Sequence, residues 1–243
     1  MTKLSVNLNK IALLRNQRDI GIPSVTQAAD TCVAAGAHGI TVHPRPDERH
    51  IRYSDVYELK EILPVEFNIE GNPFPRFMGL VREIKPEQCT LVPDSPDQNT
   101  SDHGWNLPQD TQSLRPIIEE LKDLGIRVSL FVDAVPETVG SAKEIGADRI
   151  ELYTEPYASA FANDHPKTVL DRFKATAIAA QEAGLGVNAG HDLNLKNLGP
   201  FLKAVTGVLE VSIGHALIAE SLWMGLERTV KEYLKVLSQV EEG

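Results

Sequence analysis

Eight short runs of apolar and β-branched residues recur along the chain, each parted from the next by a stretch of helical period. They are Leu4–Leu8, Gly39–His43, Val65–Glu70, Cys89–Val92, Arg127–Val132, Arg149–Tyr153, Gly186–Ala189 and Leu209–Ile213. The spacing predicts helices over roughly 24–35, 54–62, 75–84, 112–124, 136–145, 166–183, 194–205 and 216–239. Several runs are near-continuous in Val, Ile, Leu and Phe, the pattern of parallel strands buried on both faces. Glycine follows helix after helix just before a strand, at Gly36, Gly125, Gly146 and Gly184. There it adopts the left-handed backbone that ends a helix at little cost. Ser24, Ser54 and Asn194 read as N-caps.

Eight alternations predict an α/β fold, a closed (β/α)8 TIM barrel forming one domain over residues 1–243, with extra loops or helices on its catalytic face. An open doubly wound sheet would carry a Gly-rich phosphate loop after its first strand, where this chain has Asn7-Leu8-Asn9-Lys10. Two long connections, 93–111 and 154–165, fall on the same face, and the first is a candidate lid.

The formal net charge of -10, without a long basic tract, argues against nucleic-acid binding. An acidic field also repels anions, so any phosphate site must come from local groups. No apolar run approaches the roughly 18 residues needed to span a bilayer, and no leader pattern precedes the first strand. No membrane association and a cytoplasmic location are expected. Cys32 and Cys89 read as small buried hydrophobes rather than a disulfide.

In a barrel the strand C-termini converge, so the residues they deliver form one inventory. Strand one gives Asn7, Asn9 and Lys10; strand two His43 and then Arg45; strand three Asn68 and Glu70; strand six Glu151 and Tyr153. Strand seven gives Asn188 and Gly190-His191-Asp192, and strand eight gives Ser212 and Gly214-His215. Imidazoles and buried carboxylates on one cavity suit successive proton transfers near neutral pH. Ser212-Ile-Gly214-His215 opens a helix, whose free N–H groups can bind phosphate. A second anion site could form where Arg45, Arg49, His50 and Arg52 meet Arg15 and Arg18.

Bland readings stand beside these. His43 could be a satisfied polar strand end. Arg49 and Arg52 read better as a solvated face paired with Asp47 and Glu48. Asp133 reads as structural. His38, His103 and His165 lie in loop or helix-to-strand contexts, and Trp105 and Trp223 read as packing residues.

Several motifs, in order, resemble the pyridoxine 5′-phosphate synthase family: Val6-Asn-Leu-Asn-Lys10, Gly39-Ile-Thr-Val-His-Pro-Arg-Pro-Asp-Glu-Arg-His50, Glu66-Phe-Asn-Ile-Glu70, Leu91-Val-Pro93, Asn188-Ala-Gly-His-Asp192 and Ser212-Ile-Gly-His-Ala216. The resemblance runs over nearly the whole chain. It implies a transferase that condenses 3-amino-2-oxopropyl phosphate with 1-deoxy-D-xylulose 5-phosphate, giving pyridoxine 5′-phosphate, phosphate and water. By the resemblance, His43 and Glu70 are acid–base residues, His191 the proton donor and Glu151 a transition-state stabiliser. Asn7, Arg18, Asp192, Gly214 and His215 would hold the amino-ketone phosphate, and Arg45, His50 and Thr100 the deoxyxylulose phosphate. The family needs no metal or organic cofactor, takes small phosphorylated substrates, and assembles as a homo-octamer. The commoner family sequence has Asp-His where this chain has Asn9-Lys10, which leaves the contacts of that pair open; Lys10 could reach phosphate as a point charge.

Two rivals compete. One is a metal-dependent barrel aldolase or isomerase acting on a sugar phosphate, with His43, Glu70 and His191 as its ligands. The other is a barrel that binds a phosphorylated metabolite without turning it over.

Overall fold

A computed structural model describes every residue except 99, 164–165 and 242–243. His165 therefore lies outside the described residues. Eight parallel strands close on themselves in sequence order. They are β1 (Lys3–Asn7), β2 (Gly39–Val42), β3 (Glu66–Gly71), β4 (Gln88–Leu91), β5 (Arg127–Val132), β6 (Arg149–Tyr153), β7 (Gly186–Gly190) and β8 (Val208–Ile213). Pairing of Lys3 with Glu210 and of Val6 with Ile213 joins β1 to β8 and seals the barrel.

The helices are α1 (Asn9–Arg15), α2 (Val25–Ala34), α3 (Tyr53–Ile62), α4 (Pro75–Ile84), α5 (Thr111–Asp123), α6 (Val139–Glu144), α7 (Glu155–Ala162), α8 (Lys167–Glu182), α9 (Leu198–Ala204), α10 (His215–Met224) and α11 (Leu226–Glu241). Ser24 caps α2, its hydroxyl accepting from the Gln27 N–H at 3.1 Å. Ser54 lies inside α3 instead of capping it. The Asp55 carboxylate takes that part, accepting from the Arg52 N–H at 2.7 Å. Asn194 accepts from the N–H groups of Lys196 and Asn197 ahead of α9.

The strands are buried on both faces, as expected, but only one of the two faces is apolar. One face does pack on the helices: Leu4, Val6, Ile40, Val42, Phe67, Ile69, Val128, Leu130, Ile150 and Leu152 are all fully or almost fully buried. The alternate residues point into the barrel and are polar. Ser5 and Thr41 share a hydrogen bond of 2.6 Å, Asn68 donates to Thr41 at 3.3 Å, and Gln88 donates to Glu210 at 3.1 Å. Arg127 donates to Gln88 and Glu66, and Arg149 to Asn188. A buried polar interior is tolerated because its members bond to one another. This polar column runs up to the strand tips, where the site sits.

Three further differences have local causes. The connection 154–165 carries α7, whose Pro156 occupies the first turn, where a missing N–H costs nothing. The expected helix 216–239 is two helices, parted at Gly225 with φ +82°. Trp105 packs as expected, donating from Nε1 to the Leu91 carbonyl at 2.8 Å, but Trp223 is 87% exposed and is not a core residue. Both cysteines are buried and free. Among the described residues no helix is long and apolar enough to cross a membrane.

Candidate active site

The strand tips enclose a cavity of about 340 Å³. Asn7, Asn9, Lys10, His43, Arg45, His50, Glu70, Thr100, Glu151, His191, Asp192, Gly214 and His215 all line it, with Val92, Ser101, Phe131 and Ser212. Of the residues to which the resemblance assigns a catalytic or substrate-binding role, only Arg18 lies elsewhere: it is exposed, in the turn after α1. Three residues earlier Arg15, the last residue of α1, is buried against Asp55.

Hydrogen bonds tie the tips of β1, β2 and β3 together. The Asn7 amide donates to Glu70 Oε2 at 3.3 Å, and its oxygen accepts from the Asn9 N–H at 3.0 Å. Asn9 Oδ1 in turn accepts from the His43 N–H at 2.9 Å. Asn9 thus orders β1 against β2 with its amide oxygen alone.

The arginines divide by role. Arg15 donates to Asp55 and to the His50 carbonyl, so it is structural and not part of an open anion site. The Arg52 backbone N–H is spent on Asp55. Arg49 donates to Asp47 and to the Pro96 and Gln98 carbonyls. Arg45, 4% exposed, is the guanidinium that reaches the cavity. His50 accepts at Nδ1 from the Ile51 N–H at 2.9 Å, which leaves Nε2 as its donor.

At the β7 tip His191 and Asp192 both take positive φ, +84° and +60°. That backbone is costly for residues other than glycine and is held here by context. The Thr154 hydroxyl donates to the carbonyls of Gly190 and His191. The turn aims His191 at the cavity, with Nδ1 2.9 Å from Asp192 Oδ2 and Nε2 3.0 Å from the Thr100 hydroxyl. Tyr153 stands edge-on to its ring at 5.2 Å. Gly190 has no room for a side chain: a Cβ there would sit 2.3 Å from Glu151 Oε1.

Burial makes the titratable groups electrically quiet. His43 is pushed well below the usual imidazole range by burial, then by the Arg45 charge. His50 falls to about 4 for the same reasons. Burial raises Glu70 to about 8, aided by the charges of Asp94 and Glu210. Glu151 goes well above the carboxylate range through burial, then through Glu70 and Glu210. Near neutral pH the imidazoles of His43 and His50 are therefore neutral and Glu70 is largely protonated yet able to release its proton, while Glu151 is held toward its protonated form.

The raised carboxyl has a stability consequence. The folded chain keeps the Glu70 proton from 4.5 up to about 8, while the unfolded chain loses it near 4.5. Stability from this group is thus full below the unfolded value and lost as pH rises through the folded one. Summed over that window the loss is at most about 5 kcal/mol. Glu70→Gln is expected to gain on wild type in melting temperature as pH rises from about 5 to 9. Parallel melting curves at every pH would contradict this.

Sequence reasoning passed over Asp94, Ser101, Val92 and Phe131. Asp94 and Ser101 sit in the long connection after β4, where no periodicity marks them. Among the described residues no three His, Cys, Asp or Glu side chains group as a metal-ligand set.

A closed parallel barrel that gathers imidazoles, carboxyls and an arginine at its strand C-termini has the architecture of a barrel enzyme, whose sites form on that face. Residues 4–239 match the family described as pyridoxal phosphate biosynthesis protein PdxJ, and the chain belongs to that family. It is 57% identical to the pyridoxine 5′-phosphate synthase of Albidiferax ferrireducens, over 98% of each chain. It is 53% identical to the enzyme of that name from Bacteroides thetaiotaomicron, over 98% of this chain and all of the other. Solved structures share the fold at low identity. A thiamine phosphate pyrophosphorylase from Pyrococcus furiosus superposes with TM-score 0.60 at 15% identity, covering 98% of this chain and 96% of its own. A structure described as native KDPGal does so with TM-score 0.63 at 12%, covering 99% and 96%.

Proposed function

We propose that the chain is a pyridoxine 5′-phosphate synthase that joins 3-amino-2-oxopropyl phosphate to 1-deoxy-D-xylulose 5-phosphate and closes the pyridine ring in the cavity at the strand tips. The observation that carries this reading is the single cavity at the strand tips, lined by His43, Glu70, Glu151 and His191 together with Arg45 and the first residues of α10. Arg45, His50 and Thr100 bind the sugar phosphate at one end. The N–H groups that open α10 at Gly214 and His215, with Asn7 and Asp192, receive the amino-ketone phosphate at the other.

The amine of one substrate attacks the ketone of the other, so the imine forms between the two small molecules and no protein lysine is needed. Phosphate and water then leave, a carbon–carbon bond closes the ring, and a last dehydration makes it aromatic. Each step moves a proton. His43 and Glu70 accept from the substrate, and His191, held by Asp192, donates to the departing group. Glu151, held toward its protonated form by burial, offers a hydrogen bond to oxygen that gains charge. Lys10 lines the cavity and adds a point charge toward the sugar phosphate. Holding both reactants in one enclosed space supplies much of the remaining acceleration.

Self-assembly to a homo-octamer in the cytoplasm belongs to this reading. Leu222 and Trp223, 67% and 87% exposed on α10, support an apolar surface for a second copy. Arg18, outside the cavity of its own chain, would gain a ligand only in such an assembly or after a local rearrangement.

The test is turnover by the purified protein in excess chelator. Both substrates are mixed with it and pyridoxine 5′-phosphate is followed by absorbance. Product at undiminished rate with chelator is expected. No product, with both phosphorylated compounds still bound, would overturn the reading.

A further inference from the structure

We infer that Asp94 is a positioning residue for the sugar phosphate, fixing the Arg45 guanidinium and tying the loop after β4 to the tip of β2. Asp94 is 3% exposed. Its Oδ2 accepts from Arg45 Nη2 and, at 2.7 Å, from the Ser101 hydroxyl. Its own carbonyl accepts from the Asn72 amide at 3.2 Å, which fixes its backbone to the segment after β3. Arg45 also donates from Nη1 to the Gln98 carbonyl at 2.6 Å. One carboxylate oxygen therefore joins the arginine of one loop to the serine beside Thr100 in another.

The arrangement is hard to explain by stability. Asp94 Oδ1 is buried with no hydrogen-bond partner among the described residues. A half-satisfied buried carboxylate is costly, and apolar residues commonly replace a buried ion pair without loss. What the pair does supply is direction. A planar guanidinium held through both terminal nitrogens keeps its remaining N–H groups in a fixed fork toward the cavity that Arg45 lines. Phosphate then meets donors that need no reordering.

The same carboxylate acts on Glu70 through space. Around Glu70 stand Asn7 from β1, Arg45 from the β2 tip, Glu151 from β6, and Glu210 and Ser212 from β8, with Asp94 from the β4 loop. Removing the Asp94 charge, and freeing Arg45, both favour the ionised form of Glu70. A spacer of purely structural value would leave that titration alone.

Asp94's role rests on the assignment of Arg45 to the sugar phosphate, so the experiment carries Arg45→Gln as its control. Steady-state kinetics of the full-length enzyme are measured with each substrate varied in turn, across pH. Asp94→Asn is expected to raise KM for 1-deoxy-D-xylulose 5-phosphate about tenfold or more, with KM for the amino-ketone phosphate within about twofold. The ascending limb of its kcat/KM profile moves to lower pH. Should Asp94→Asn fail to fold, Ser101→Ala, which loses only the hydroxyl tie, is expected to raise the same KM by a smaller factor. Arg45→Gln raising that KM while Asp94→Asn and Ser101→Ala leave it unchanged would overturn the role of Asp94 alone. Arg45→Gln leaving it unchanged would overturn the phosphate assignment and the role of Asp94 with it.

Discussion

Glu70→Gln is expected to lower kcat by about 10²–10⁴ while both substrates bind at close to wild-type affinity. The amide keeps the size of the side chain and the acceptor that meets the Asn7 amide at 3.3 Å. It cannot exchange a proton. Glu70 lies where the cavity raises a carboxyl to about 8, by burial first and then by Asp94 and Glu210. A group so tuned serves as base and as acid within one cycle. Steady-state kinetics with calorimetric titration of each substrate check this. A fall in affinity without a fall in kcat would make Glu70 a binding group instead.

Asp55→Ala is expected to cost about 3–5 kcal/mol of stability, because Arg15 would be left charged and buried without its partner. Arg15 and Asp55 have side-chain exposures of only 9% and 6%. The loss also reaches the site. Arg15 and Asn16 both donate to the His50 carbonyl, at 3.2 and 2.8 Å, and Asn16 donates to the Glu48 and Arg49 carbonyls as well. Loosening the end of α1 frees the loop that carries His50, so KM for the sugar phosphate rises along with the loss of stability. Denaturant unfolding and kinetics on the same preparation test both effects. Unchanged unfolding would show that Arg15 is solvated in solution and free to bind anions.

The strands were legible because a parallel barrel repeats one local rule eight times, and glycines at Gly36, Gly125, Gly146 and Gly184 mark where α2, α5, α6 and α8 stop. All four take positive φ in the structure. The tips were legible for the same reason: once His43, Glu70, Glu151 and His191 stand at strand ends, closure brings them together. The polar interior was harder to read. Ser5, Thr41, Asn68, Gln88 and Asn188 alternate with apolar neighbours, but the apolar runs around them dominate the pattern. The partners of the arginines were not legible at all. Arg15 meets Asp55 forty residues on, and Arg45 meets Asp94 forty-nine residues on. No local period encodes such pairs; only the closed barrel does. The helix over Glu155–Ala162 was hidden by Pro156, which reads as a breaker unless the start of the helix is already known.

The most direct test of the central claim, that the cavity tunes Glu70 to work as acid and base, is the pH dependence of kcat/KM, which reports the free enzyme. An ascending limb with an apparent pKa of about 8 is predicted. A limb at the ordinary carboxylate value of 4.5, with kcat/KM flat through neutrality, would contradict it.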